Sequence, residues 1–295
     1  MVGEYVNYLQ PKTLQELRRC LLSLTGDSVV LAGGTDLMVS IRAKKPHIDA
    51  YLSLCNLREM HGISEHEGWI RIGAMVTHDE AASDDKIKTY FQALSMACSH
   101  VGSPQVRNKG TIGGSLMNAT PAGDILPCVM LFHGEIEIFT AEGIYRRISV
   151  NEFLSETGKP KLSKQEVLMS IWIPINYDKK SCFVKLGSRT EVTIAQISFC
   201  LSWKKTEDVY SCIEAYMGAV DTEPLKVEEA TVILGNKPYE TKRMDTLASL
   251  LSDKIRTIRM NRKRESKLKV LECEKLYKER AVRGVVYDAV SYMKD

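Results

Sequence analysis

No run of apolar residues in this chain approaches the ~20 needed to cross a bilayer. The opening residues Met1-Val2-Gly3-Glu4-Tyr5 also lack the basic and apolar regions of a secretion signal. The expectation is a cytoplasmic protein with no membrane partner. Strong charge is missing as well: a formal net charge of +3, with 26% charged and 44% hydrophobic residues, is too mild to demand a nucleic acid as partner. The eight cysteines include no C-x-x-C, and the six histidines include no H-x-x-x-H or H-E-x-x-H pair. This spacing offers no metal or iron–sulfur site and no visible catalytic histidine. Cysteines inside apolar runs, as in Ser198-Phe199-Cys200-Leu201, read as reduced core residues. A P-loop is absent, because neither Gly-Gly pair continues into Gly-Lys-Ser/Thr, and so is the G-x-G-x-x-G of a Rossmann fold. No nucleophile with an adjacent base stands out, so no catalytic residue is assigned.

What the chain does have is two glycine-rich turns, Leu31-Ala32-Gly33-Gly34-Thr35-Asp36 and Gly110-Thr111-Ile112-Gly113-Gly114-Ser115. Glycine lacks a Cβ, so backbone N–H groups in such turns can approach an anionic oxygen that a side chain would shield. Two of them can grip a pyrophosphate from opposite sides, which makes a bound dinucleotide the leading hypothesis. On this reading Gly33→Val or Gly114→Val fills the phosphate's space and leaves a folded chain.

At 295 residues the chain suggests two domains. Thr13-Leu14-Gln15-Glu16 has the form of a capping box before a helix carrying Leu17, Leu21 and Leu24. A buried strand over 28–32 runs into Gly33-Gly34, Asp36 opens a short amphipathic stretch, and a strand follows around 48–54. A strand at 69–73 precedes a second capping box, Thr77-His78-Asp79-Glu80, and a helix is expected over 90–100. After the second glycine turn come a short helix from Asp124, an alternating strand over 135–139 and a strand over 167–173. The polar stretch after Pro174 places a domain boundary at 175/176. The first domain, 1–175, divides into lobes of about 1–55 and 56–175. The second, 176–295, carries strand candidates at 183–186, 197–203 and 211–217 and helices at 226–234, 244–251 and 272–293. It reads as a three-stranded antiparallel sheet with helices on one face, giving an α+β class overall. The basic run Lys254 to Lys269 lacks the interleaved aromatics that stack bases, so it reads as a solvated helix or a face for an acidic partner.

Ala32-Gly33-Gly34-Thr35-Asp36, the Gly102-Ser103-Pro104-Gln105-Val106-Arg107-Asn108 segment and Gly110-Thr111-Ile112-Gly113-Gly114 together resemble the FAD-binding subunits of molybdenum hydroxylases. Those are the medium subunits of the xanthine, carbon monoxide and nicotinate dehydrogenase type. The resemblance continues through Thr120-Pro121-Ala122-Gly123-Asp124, Glu166-Val167-Leu168, Phe183-Val184-Lys185-Leu186-Gly187-Ser188-Arg189 and Ile194-Ala195, in the family's order. It implies a two-lobed FAD-binding domain of the vanillyl-alcohol-oxidase (PCMH) type and a C-terminal domain of the carbon monoxide dehydrogenase flavoprotein type. FAD is the cofactor it implies for this chain. The first FAD loop would be Val29, Val30, Leu31, Ala32, Gly33, Gly34, Thr35 and Asp36, and the second Thr111, Ile112, Gly113, Gly114 and Ser115, with Asn118 beside them. Asp124 looks like the acid that hydrogen-bonds sugar or ribityl hydroxyls, a role compatible with capping the helix that follows. Leu168 would border the flavin. Lys185 would lie near the isoalloxazine, where a cation favours the anionic reduced form.

The implied partners are a small subunit with two [2Fe-2S] clusters and a large subunit with the molybdenum cofactor, forming a heterotrimer. The flavin subunit would pass electrons to NAD or another acceptor, and the isolated chain could self-associate. Ser115 departs from the family's usual Asn, and Val192 and Thr193 stand where some relatives carry acids beside the flavin. Two other readings stay open: a stand-alone FAD-dependent oxidase of related fold, and a non-catalytic assembly or RNA-binding protein that uses the basic run.

Overall fold

The computed structural model describes residues 6–155, 157–265 and 272–294, and side chains outside 262–275. In chain order, the first elements are β1 (Asn7–Leu9), α1 (Leu14–Ser23), β2 (Val29–Leu31), α2 (Leu37–Lys44) and β3 (Ala50–Ser53). Next come β4 (Ile63–His66), β5 (Trp69–Gly73), α3 (His78–Ser83), α4 (Asp85–Tyr90), α5 (Gln92–Ser99), α6 (Pro104–Arg107), α7 (Ile112–Asn118) and α8 (Ile125–Leu131). Then follow β6 (Glu135–Thr140), β7 (Tyr145–Ser149), α9 (Val150–Phe153) and β8 (Glu166–Pro174). The chain finishes with β9 (Lys180–Gly187), β10 (Ala195–Thr206), β11 (Val209–Gly218), β12 (Leu225–Lys226), α10 (Glu228–Leu234), α11 (Thr241–Glu265) and α12 (Glu272–Ser291). Among the described residues no helix is long and apolar enough to cross a membrane.

These elements form two compact units. Met1–Asp84, Ser103–Ala119 and His133–Ile175 make the first, and Asp85–Gly102, Thr120–Phe132 and Asn176–Asp295 the second. Residues 85–102 and 120–132, expected from the sequence in the first domain, thus pack in the second unit. Burial explains it: every residue of α8 is buried, and a helix apolar all round must be covered on all sides.

The first unit holds two sheets. One is parallel, in the order β1-β3-β2, with Val29 opposite Tyr51 and Asn7 opposite Ala50. As an edge strand, β2 is only half-buried, so the expectation of a buried strand is corrected. The other is a five-stranded antiparallel sheet, β4-β5-β8-β6-β7. Its central strand, β8, is buried along most of its length, and Met169 is an extra residue between the pairs Glu137–Ser170 and Ile138–Leu168. Such a bulge re-aims the neighbouring side chains. Helix starts follow local chemistry: Thr13 Oγ1 accepts from Glu16 N, and Thr77 and Ser149 form complete capping boxes with Glu80 and Glu152.

The second unit is built on a four-stranded antiparallel sheet, β12-β11-β10-β9. The three-stranded expectation misses the two-residue β12, which pairs at Leu225 and Lys226. Helices cover both faces, not one. Successive residues of a strand point to opposite faces: Ile197, Phe199, Leu201 and Trp203 join a core with α10, α11 and α12. From β9, Cys182 Sγ donates to Ala289 O in α12, while its neighbour Ser181 Oγ accepts from Ala93 N in α5. Helix α11 far outruns the expected 244–251, because Ile255 continues its buried stripe and no Gly or Pro stops it. The basic run is partly neutralised within this unit: Lys254 pairs with Glu229, and Arg256 and Arg259 both pair with buried Glu279. Lys267 and Lys269 lie outside the described residues, as do the side chains of Arg262, Lys263 and Arg264.

Candidate functional site

A cavity of about 360 Å³ lies in the first unit, in the range of small-molecule sites. The loop after β2 forms one wall. Gly34 has φ +73°, a conformation that favours glycine, and the loop closes onto Lys109-Gly110, where a Cβ on Gly33 would overlap the Lys109 carbonyl. Gly33 is therefore a packing glycine, and the expected folded Gly33→Val chain is corrected to a chain with damaged packing. Among the described residues, the amides of Gly33, Gly34, Thr35 and Asp36 donate to no protein acceptor. Four successive unspent N–H groups beside a cavity form a neutral cradle for anionic oxygens. Among the described residues no lysine or arginine lines the cavity, so amides and hydroxyls would hold such a group.

The opposite wall is α7. The second glycine turn is therefore the first turn of a helix, with Thr111 as its N-cap accepting from Gly114 N at 3.0 Å. Its amides are already used: Ile112 N donates to Val76 O and Gly113 N to Ala74 O. Gly113 is needed because a Cβ would sit 2.6 Å from Ala74 Cβ and 2.7 Å from Ala74 O. Ala74 N in turn donates to Met169 O, so the bulge in β8 fixes the height at which α7 sits and leaves buried Leu168 lining the cavity. Asn118, at the end of α7, donates to Asp36 Oδ2 at 2.5 Å and ties the two walls together.

His78 also lines this cavity, although the sequence pattern leaves it as one of several scattered histidines. It is 2% exposed, its backbone N–H donates to Gly110 O, and its ring Nε2 lies 3.0 Å from Ser115 Oγ. Burial, and then the positive charge of Arg107, push its pKa down to about 4, so the ring is neutral near pH 7. Its place one residue inside a capping box, just after a buried strand, is the signal that a helix start would bury it.

Of the expected binding residues, Val30, Ala32, Gly33, Gly34, Thr35, Asp36, Thr111, Gly113, Gly114, Ser115, Asn118 and Leu168 line the cavity. Val29 and Leu31 are not among its lining residues, since they flank Val30 on a strand and point to the other face. Ile112 is fully buried in the core and does not line it either.

Asp124 and Lys185 belong to the second unit and meet there: Lys185 Nζ donates to Asp124 Oδ2 at 2.6 Å, with side chains 5% and 6% exposed. Asp124 stands at the N-cap position of α8 but makes no capping hydrogen bond, so its expected structural role is not seen. Its Oδ1 is buried without a partner among the described residues. Burial pushes the Asp124 carboxyl above the usual range, with Lys185 pulling against it. Among the described residues no three of His, Cys, Asp and Glu gather as a metal site.

The unspent amides and the glycine-lined close approach suit a group bearing phosphate. Residues 4–176 match the family described as the FAD binding domain in molybdopterin dehydrogenase. The chain is 29% identical over 285 residues to the nicotinate dehydrogenase FAD-subunit of Eubacterium barkeri, covering 94% of this chain and 92% of that one. It is 24% identical to the xanthine dehydrogenase FAD-binding subunit of Escherichia coli O157:H7, covering 85% and 86%. Its fold resembles a chain of carbon monoxide dehydrogenase from Hydrogenophaga pseudoflava, with TM-score 0.83, 21% identity and coverage of 99% and 98%. It is equally similar to a chain of quinoline 2-oxidoreductase from Pseudomonas putida 86, with TM-score 0.83, 22% identity and 99% coverage of both. With the family match spanning more than half of its length and its cavity suited to the ligand, this chain belongs to the FAD-binding domains of molybdopterin dehydrogenases.

Proposed function

We propose that this chain is the flavin-carrying, electron-transferring subunit of a molybdenum-containing hydroxylase. The cradle of unspent amides at Gly33, Gly34, Thr35 and Asp36 carries the reading. FAD, when bound, supplies a centre that exchanges electrons singly or in pairs. In this reading the loop amides and the Ser115 and Thr111 side chains hold the diphosphate, and Leu168 borders the flavin. Asp124 accepts from a sugar or ribityl hydroxyl through its free Oδ1. Lys185, held by Asp124, supplies the cation that favours an anionic reduced flavin. By sequence, residues 1–175 with a PCMH-type fold make the flavin domain and 176–295 the C-terminal domain, with 85–102 and 120–132 of the former packing in the second unit.

The relatives' names, as FAD subunits of nicotinate and xanthine dehydrogenases, support the same division of labour. A large subunit would hydroxylate the substrate at molybdenum, a small one would relay electrons through [2Fe-2S] clusters, and NAD or another acceptor would take them from the flavin. The protein's own contribution is position and electrostatics, in keeping with a chain to which no catalytic residue is assigned. Heat release of the cofactor from purified protein, followed by chromatography, is expected to yield one FAD per chain; no FAD overturns the reading. Co-purification with iron- and molybdenum-containing chains separates a subunit from a stand-alone oxidase.

A further inference from the structure

Among the described residues the His78 side chain has one hydrogen-bond partner, Ser115 Oγ, and its buried Nδ1 has none. A neutral imidazole carries one proton, and two placements are open. With the proton on Nδ1, Nε2 would accept the Ser115 O–H and a buried N–H donor would be left without an acceptor, the rarer and costlier kind of orphan. With the proton on Nε2, that N–H donates to Ser115 Oγ and only a lone pair is stranded. The serine proton is then unspent. Among the described residues the Ser115 hydroxyl has no bond to the carbonyl one turn back, the usual refuge of a helical serine, although its own amide donates to Thr111 O. Both residues line the cavity, so with the proton on Nε2 the serine O–H has the cavity open to it.

We propose that His78 is a positioning residue whose Nε2–H bond fixes the Ser115 hydroxyl as a donor to an anionic oxygen of the dinucleotide's diphosphate. This role rests on the flavin reading above. The pair supplies a neutral donor on the wall where the helix amides are already spent, and it stays neutral across the physiological pH range.

The test uses the full chain stripped of cofactor and titrated with FAD, read by flavin fluorescence. Failure of the unmodified chain to bind FAD overturns the flavin reading itself. Given binding, Ser115→Ala is expected to weaken it about tenfold, the worth of one hydrogen bond to a charged oxygen. His78→Leu should weaken it equally, and the double variant no further, because both remove the same bond. His78→Gln, whose amide N–H can reach Ser115, should restore affinity to within about threefold of the parent. Multiplicative losses in the double variant, or unchanged binding in His78→Leu, overturn the proposal. Nitrogen-15 NMR of the unmodified protein decides the matter even where a variant fails to fold. A protonated Nε2 is expected with and without FAD, and a protonated Nδ1 overturns the proposal.

Discussion

Among the described residues, the amides of Gly33 and Gly34, in an irregular loop, meet no protein acceptor, whereas Gly113 and Gly114 sit in the first turn of α7, their amides taken by Ala74 O and Thr111 Oγ1. The two pairs look alike on paper. One leaves donors for a ligand, and the other uses glycine to bring a helix down onto Ala74 and place Ser115 and Asn118 beside the cavity. A glycine pair near a phosphate site can therefore serve recognition or packing, and the deciding observation is where its N–H groups go.

The sharpest break in this comparison is Gly33→Ala. Its Cβ must displace backbone at Lys109, and the loss of stability is expected at about 3 kcal/mol or more, seen as a lowered midpoint in urea unfolding with flavin lost alongside. An undiminished midpoint would show that the loops do not need this close approach.

Acid acts on the helix wall through His78. Its folded pKa is depressed from 6.5 to about 4, so the stability it contributes is present above pH 6.5 and is lost as pH falls toward 4. Relative to His78→Gln, the parent chain is expected to lose up to about 3 kcal/mol over that interval. Parallel pH profiles for the two proteins would contradict it.

Gly34→Ala and Gly114→Ala provide a matched pair. Each is expected to cost about 1 kcal/mol, the first through its φ of +73° and the second through a Cβ 2.9 Å from the capping Thr111 Oγ1. Flavin affinity should fall clearly more in Gly34→Ala, whose loop holds the unspent donors; equal losses in fluorescence titrations would erase the distinction. The smallest effect is expected from Asn118→Ala. Removing its bond to Asp36 should cost about 0.5 to 1 kcal/mol by thermal melting.

Strongly patterned segments were legible in the sequence: the strand over 69–73, the alternating 135–139 and the box Thr77 to Glu80 all form as their residues dictate. Asn7–Leu9, Ile63–His66 and Leu225–Lys226 were not, because strands so short carry too little pattern and exist through their partners. The candidate site divides the same way. Glycine pairs announce themselves, but nothing local says that Thr111 caps a helix over two glycines, that Met169 bulges, or that His78 meets Ser115 from 37 residues away. Those follow from tertiary pairings that overrule local propensity.

The chain passes between its two units after residues 84, 102, 119, 132 and 175. No single continuous stretch of the gene therefore encodes either unit, and no one cut or crossover can separate them intact. On the ribosome, α5 and α8 emerge well before β9, β10 and β11, the strands of the sheet that will cover them. Helix α8, buried on every side in the finished fold, is thus left open to a chaperone or to aggregation during synthesis, and its wait ends only when the chain beyond residue 218 has been made.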